Sequence, residues 1–311
     1  MRALILSLIL LITLQSQSQL TYRELSVQYD SAIEYKNLKI IPVVLKDNGG
    51  PPAPKFMSLS KALQKGLAVV TERGTASTEN VHWLRINNKS NIPLYIASGE
   101  IIMGGRQDRM VTKDTILIPN NGADQYISVM CVEEDRWSEK EKKFAYLSFA
   151  NPRLRKVVDQ SKNQVLIWNE IFSQLDSAKV KSPTLAYAGQ RFDKKHALIH
   201  QEYMAYFLDK IKRTDSNWVG FVCVTGDRIL GTDIFSGTNL FYDQLDGLLQ
   251  GFVEEAINTG NPVKIGDDRV KKYMDRILTD EKSQEEYLKQ NGKIFRWQEK
   301  VIHITGFGEY F

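Results

Sequence analysis

Two short clusters of charged and amide residues interrupt the strand-like first half of this chain. The first is Gly99-Glu100-Ile101-Ile102-Met103-Gly104-Gly105-Arg106-Gln107-Asp108-Arg109, the second Cys131-Val132-Glu133-Glu134-Asp135-Arg136-Trp137. Such interruptions, lying among neighbouring strands, are placed to meet across a sheet and build one polar site. Glu100 and Glu133 are the carboxylates that could share general acid and base roles. Arg109 and Arg136 have the planar fork suited to bidentate recognition of an anion. Gln107 would fix a ligand's orientation, Trp137 would stack on it, and the Gly104-Gly105 pair would let backbone approach it closely. The competing explanation is structural: a sharp turn with an Arg-Asp pair, followed by a solvated strand end carrying three adjacent acids.

Other candidate chemistry is thinner. His196 and His200 stand at i and i+4 on a helical stretch, a spacing that can share a metal. Ala197 occupies the place of the zincin glutamate, and His200 falls on an apolar stripe, so no metal and no cofactor are expected. Ser236-Gly237-Thr238-Asn239 leads into a helix, where free N–H groups could hold an anion or Thr238 or Asn239 could simply cap it.

The elements that must position these groups are short strands first and helices later. Leu38–Leu45 is apolar with Pro42 inside it, which predicts an edge strand because proline cannot donate to a ladder. Ser58–Lys65 reads as a capped helix ended by Gly66. In 81–86, Val81, Trp83 and Arg85 alternate with His82, Leu84 and Ile86. Further strands follow at 93–97, 100–103, 115–118 and 126–132, a spacing that argues for an antiparallel sandwich or barrel. From Asn163 the period becomes helical, with Val165, Trp168, Phe172 and Leu175 on one predicted face. A second helix is expected over 193–213. Residues 218–224 and 229–235 form a hairpin around Gly226-Asp227. A helix then buries Leu245, Leu248, Leu249, Phe252 and Ala256. The segments 267–278 and 281–290 read as peripheral helices, and 300–305 as one more strand. The fold class is therefore α+β: an N-terminal antiparallel β-rich sandwich or barrel, then a more helical half with a β-hairpin. The expected division is a signal peptide at 1–18, a β-rich domain at 19–145 and a helical α+β region at 146–311.

The N-terminus carries the signal pattern. Arg2 precedes the apolar run Ala3–Leu14, and Ser16 and Ser18 fit cleavage near Ser18, placing the mature chain in the periplasm or outside the cell. No later segment is apolar enough for a membrane span. With 42% hydrophobic and 25% charged residues among 311, the chain has ordinary globular composition. Loss of residues 1–18 removes Arg2 and no acid, so the formal charge of +4 becomes +3, which points to no nucleic-acid partner. In an oxidising compartment Cys131 and Cys223 could pair; each also sits in an apolar run where a small buried thiol is ordinary.

The chain resembles a bacterial domain family named for its association with ADP-ribosylglycohydrolases and rhodanese-phosphatase proteins. The matching residues are Ala62-Leu63-Gln64-Lys65-Gly66-Leu67, Thr71-Glu72, Asn87 with Ser90 and Pro93, Gly99-Glu100, Gly104 with Gln107 and Arg109, Cys131-Val132-Glu133, Arg136-Trp137, and Gln164 with Trp168. The stretch 219–254 is similar to the family's later section. One departure is local: where the family usually reads Gly-Ala-Lys-Gln-Asn-Arg, this chain has Gly104-Gly105-Arg106-Gln107-Asp108-Arg109. The resemblance implies a domain without an established activity, and one site formed by Glu100, Gln107, Arg109, Glu133, Arg136 and Trp137. The expected function is a binding module for a small anionic or nucleotide-like ligand. The alternatives are a structural or protein-interaction domain, and a hydrolase using Glu100 and Glu133.

Overall fold

The hairpin expected from Gly226-Asp227 anchors the larger sheet. In the computed structural model, which describes residues 19–46, 54–72, 81–120, 123–137, 143–211 and 217–309, its arms are Trp218–Thr225 and Arg228–Phe235. These arms are buried almost throughout, because helices cover both faces of their sheet. Phe221 and Cys223 face the helices Lys194–Lys210 and Thr238–Thr259, while Val222 and Val224 face Asp267–Ile277 and Glu281–Asn291. The sheet has seven strands. Its main path runs Leu25–Val27, Leu38–Leu45, Trp218–Thr225, Arg228–Phe235, Lys300–Phe307 and Gly292–Trp297, with Ile33–Tyr35 also paired to Leu38–Leu45. It thus interleaves residues from both sides of the 145/146 division expected from the sequence.

A second, six-stranded sheet carries the two polar clusters. Its order is Phe144–Phe149, Glu100–Gly104, Arg109–Val111, Gln125–Cys131, Trp83–Asn88 and Ala68–Thr71, antiparallel throughout. A three-stranded sheet of Thr115–Leu117, Leu94–Ile96 and Met57–Ser58 completes the set; its Met57–Ser58 pairing is parallel. With eight α-helices and sixteen strands among the described residues, the protein is α+β. No helix of the described residues is long and apolar enough to cross a membrane.

Several expectations change in detail. Leu38–Leu45 is an interior strand. Pro42 is tolerated because its outer neighbours are two short strands: Leu25–Val27 pairs only residues 43–45 and Ile33–Tyr35 only residues 38–40. Pro42 sits at the gap between them, where its carbonyl accepts from the Gln28 N–H at 2.9 Å. The Asp267–Ile277 helix is not peripheral on its inner side, where Val270, Tyr273, Met274 and Ile277 are buried. In Gln164–Ser177 the buried residues are Ile167, Ile171, Gln174 and Leu175, while Val165 and Phe172 face solvent. Polar anchors set that rotation: Gln164 bonds the Cys131 backbone through both its amide atoms, and Gln174 bonds Asn151. The helix Pro152–Ser161, capped by Asn151 onto the Leu154 N–H, and the strands 109–111, 144–149 and 292–297 were not expected. The long helix starts at Thr238 with Gly237 in the cap position and no side-chain cap. Cys131 and Cys223 are both buried, and no disulfide joins them. The signal region 1–18 and most of the charge run after Trp137 lie outside the described residues.

Candidate functional site

The loop between strands Glu100–Gly104 and Arg109–Val111 is built around two glycines. Gly104 and Gly105 adopt φ of +122° and +54°, a region costly for other residues. There is also no room for a side chain: a Cβ on Gly105 would lie 2.2 Å from the Phe144 ring and 2.6 Å from Glu72 Oε1. The loop therefore lies directly on Glu72, whose carboxylate accepts from the Arg106 backbone N–H and pairs with Arg106 Nη1 at 3.0 Å. Arg106 in turn stacks over Trp137, with its guanidinium carbon 5.9 Å from the ring centroid.

The second cluster locks onto the same loop. Glu133 Oε2 accepts from the Asp108 backbone N–H at 3.1 Å, and Gln107 Nε2 donates to the Glu134 carbonyl at 2.9 Å. Arg136 uses its whole fork: Nε reaches both Glu133 oxygens at 2.8 Å, Nη1 the Gly105 carbonyl at 2.9 Å, and Nη2 the Gly104 carbonyl at 3.2 Å and Asp108 Oδ1 at 2.9 Å. Burial raises the Asp108 carboxyl above its ordinary range; the Gly104 N–H opposes this and Glu133 adds to it. Arg109 is wholly buried and donates to the Gln107 carbonyl at 2.8 Å.

Gln107, Arg109, Glu133, Arg136 and Trp137 thus gather in one place with Asp108. Glu100 does not join them. It opens the strand that Gly104 closes, so roughly 13 Å of extended backbone separates it from the loop. There it is fully buried, accepts from the Ala97 N–H at 2.9 Å, and lies beside Gln244. Burial pushes its carboxyl up to about 8. The Glu100/Glu133 pair is therefore not assembled as an acid–base couple. His196 and His200 are likewise engaged separately, His196 Nδ1 with Asp193 at 3.1 Å and His200 Nε2 with the Gln250 carbonyl at 3.2 Å. Among the described residues no group of three or more His, Cys, Asp or Glu is arranged to hold a metal.

Asp108, Glu133 and Arg136 form part of the wall of an open cleft of about 750 Å³, whose far side is the segment 181–194. That segment is held by the Tyr187 N–H on the Val132 carbonyl at 2.9 Å, and by the Glu134 and Asp135 N–H groups on the Thr184 carbonyl at 3.2 Å. It contributes Lys181, Phe192 and Lys194. Phe192 is 67% exposed, and no described residue pairs with either lysine ammonium. These three residues carried no signal in the sequence, because nothing local brings them to the strand ends.

A second polar cluster lies deep between the sheets. His303 faces Asp114 through Nδ1 at 2.8 Å and Asp233 through Nε2 at 3.0 Å. Arg155 binds Asp233 through both terminal nitrogens at 2.8 and 2.6 Å, and the Tyr95 hydroxyl donates to Asp114 at 2.6 Å. Burial opposes both charges, yet the facing carboxylates raise the His303 imidazole, and Arg155 and His303 hold Asp233 below the usual carboxylate range. The signal was a charge inside an apolar strand.

These features define an α+β protein with a charge-locked loop at the mouth of an open cleft. Residues 26–307 match the ARG and Rhodanese-Phosphatase-superfamily-associated Protein domain, and the chain belongs to that family. No curated protein and no solved structure gives a significant match to the chain.

Proposed function

We propose that the protein is a binding module for a small anionic, nucleotide-like ligand, taken up in the cleft beside Arg136. The observation that carries this is the placing of Lys181 and Lys194, whose ammonium groups pair with no described residue, beside the exposed ring of Phe192 on one wall. Lysines supply positive charge to a phosphate or carboxylate, and an exposed ring offers a face for a base. Arg136 is held in place by Glu133 and Asp108, so its position is fixed before a ligand arrives. Arg109 and Gln107 brace the loop next to this wall, Arg109 on the Gln107 carbonyl and Gln107 on the Glu134 carbonyl, and Trp137 stacks on Arg106 of the same loop. The signal pattern around Arg2 would place the activity in the periplasm or outside the cell.

The test is a thermal-shift screen of the purified protein against nucleotides, ADP-ribose, NAD and sugar phosphates. A ligand at about 100 times its dissociation constant adds roughly 2.7 kcal/mol, which raises the midpoint by about 5 °C. The double substitution Lys181→Ala/Lys194→Ala, at exposed positions, should abolish that shift and leave the unliganded midpoint unchanged. A flat response across the panel would refute the proposal. A second reading, a protein-interaction domain, is favoured by one observation: Val165, Leu166 and Phe172 are 58%, 49% and 56% exposed on a single helix.

A further inference from the structure

Asp108 is unusual among the charged groups of the cleft because, among the described residues, only one oxygen of its carboxylate is hydrogen-bonded. Oδ1 accepts from the Gly104 N–H at 2.9 Å and from Arg136 Nη2 at 2.9 Å. Oδ2 accepts no hydrogen bond from the described residues, although the residue is 94% buried, being 6% exposed. Asp108 is one of the residues that line the cleft. Oδ2 is not one of the fully buried unpaired side-chain atoms, so it keeps accessible surface, and the cleft that Asp108 lines is where a ligand can reach it.

We infer that Asp108 is the ligand-selecting residue of the cleft, accepting a hydrogen bond through Oδ2 from a sugar hydroxyl of a phosphorylated ligand. The inference rests on the binding reading above and adds the chemistry of the ligand's uncharged part. A hydroxyl fits better than an ammonium, because Arg136, Lys181 and Lys194 share the cleft and would repel a second cation. An anionic group fits the lysine side, while Asp108 and Glu133 would repel it from the floor. The two ends of the ligand are thereby told apart: hydroxyls toward Asp108, phosphate toward the lysines. Burial, which raises the Asp108 carboxyl, does not spoil this, since a protonated carboxyl also hydrogen-bonds a hydroxyl.

The experiment is calorimetric titration of the purified protein with ribose 5-phosphate and with methyl phosphate, repeated on Asp108→Asn. The amide can keep its oxygen on the Gly104 N–H and on Arg136, and it replaces Oδ2 by a donor. The wild-type protein should bind ribose 5-phosphate at least tenfold more tightly than methyl phosphate. Asp108→Asn should remove that preference, bringing the ratio of the two affinities close to one. If wild type shows no preference for ribose 5-phosphate, the role of Asp108 is overturned without need of the variant. It is overturned equally if Asp108→Asn retains the full preference, and in both cases the binding reading survives. If neither compound binds, the inference is overturned, and the binding reading is decided separately by the nucleotide panel above.

Discussion

Replacing Glu100 by glutamine should make the protein more stable at neutral and alkaline pH, although it removes a completely buried carboxyl. Glu100 has no exposed surface, and its titration is displaced by burial from 4.5 to about 8. The folded protein therefore holds this group protonated over a range where the unfolded chain has released the proton. The sign follows from linkage: between those two values the native state binds more protons, so stability falls as pH rises and levels off above about 8. At about 1.36 kcal/mol per pH unit, the loss is about 3 kcal/mol at pH 7 and approaches about 5 kcal/mol above pH 8. Glutamine is the uncharged isostere. Its oxygen can accept from the Ala97 N–H as Glu100 Oε2 does, and it never ionises. The assay is the thermal or denaturant midpoint of wild type and Glu100→Gln across pH 5 to 9. The two curves should nearly coincide near pH 5 and separate steadily as pH rises, the variant ending several degrees higher. Parallel curves, or a variant less stable at pH 8 than at pH 5 relative to wild type, would show that Glu100 is ionised in the fold and would refute the reasoning.

Two further outcomes follow from the same electrostatics. Arg136→Ala should cost about 2 kcal/mol or more, because it leaves Glu133 and Asp108 in a mostly buried corner without their shared cation; a midpoint within a degree of wild type would contradict the lock described above. Asp233→Asn should cost about 3–5 kcal/mol by stranding Arg155. In the wild type, Asp233 contributes above the unfolded value of 3.8, and this is lost as pH falls through its lower native value. His303 contributes below 6.5, and this is lost as pH rises through its raised native value. The imidazole signals of His303, followed by nuclear magnetic resonance, should therefore titrate above 6.5 in the wild type and at lower pH in Asp233→Asn.

What could be read from the sequence was whatever depends on near neighbours. The arms of the 218–235 hairpin, the buried stripe from Leu245 to Ala256 and the alternation through Leu84 and Ile86 all express local periodicity, and all appear in the structure. What depends on distant partners was not legible. Pro42 points to an edge only if a strand must be flanked by one continuous neighbour, and here two short strands leave a gap for it. The rotation of Gln164–Ser177 is set by Gln164 gripping Cys131, which no count of apolar positions reveals. Lys181, Phe192 and Lys194 reach the cleft because the Tyr187 N–H is tied to Val132.

The polar clusters show the deeper reason why a site can be located in a sequence before it can be assigned. A charge inside a strand implies a partner, since an unpaired one would not remain buried. It does not say whether the partner is a ligand or the protein. For Arg136 the decision lies with backbone: two glycines allow the loop to turn tightly enough for the Gly104 and Gly105 carbonyls to meet the guanidinium. With Glu133 and Asp108 on the same fork, the arginine becomes the loop's brace. The feature that reads as an anion-binding side chain in the sequence is thus, in the fold, the device that fixes Asp108 at the wall of the cleft. On the binding reading proposed above, Arg136 would act on ligand selection through the carboxylate it positions.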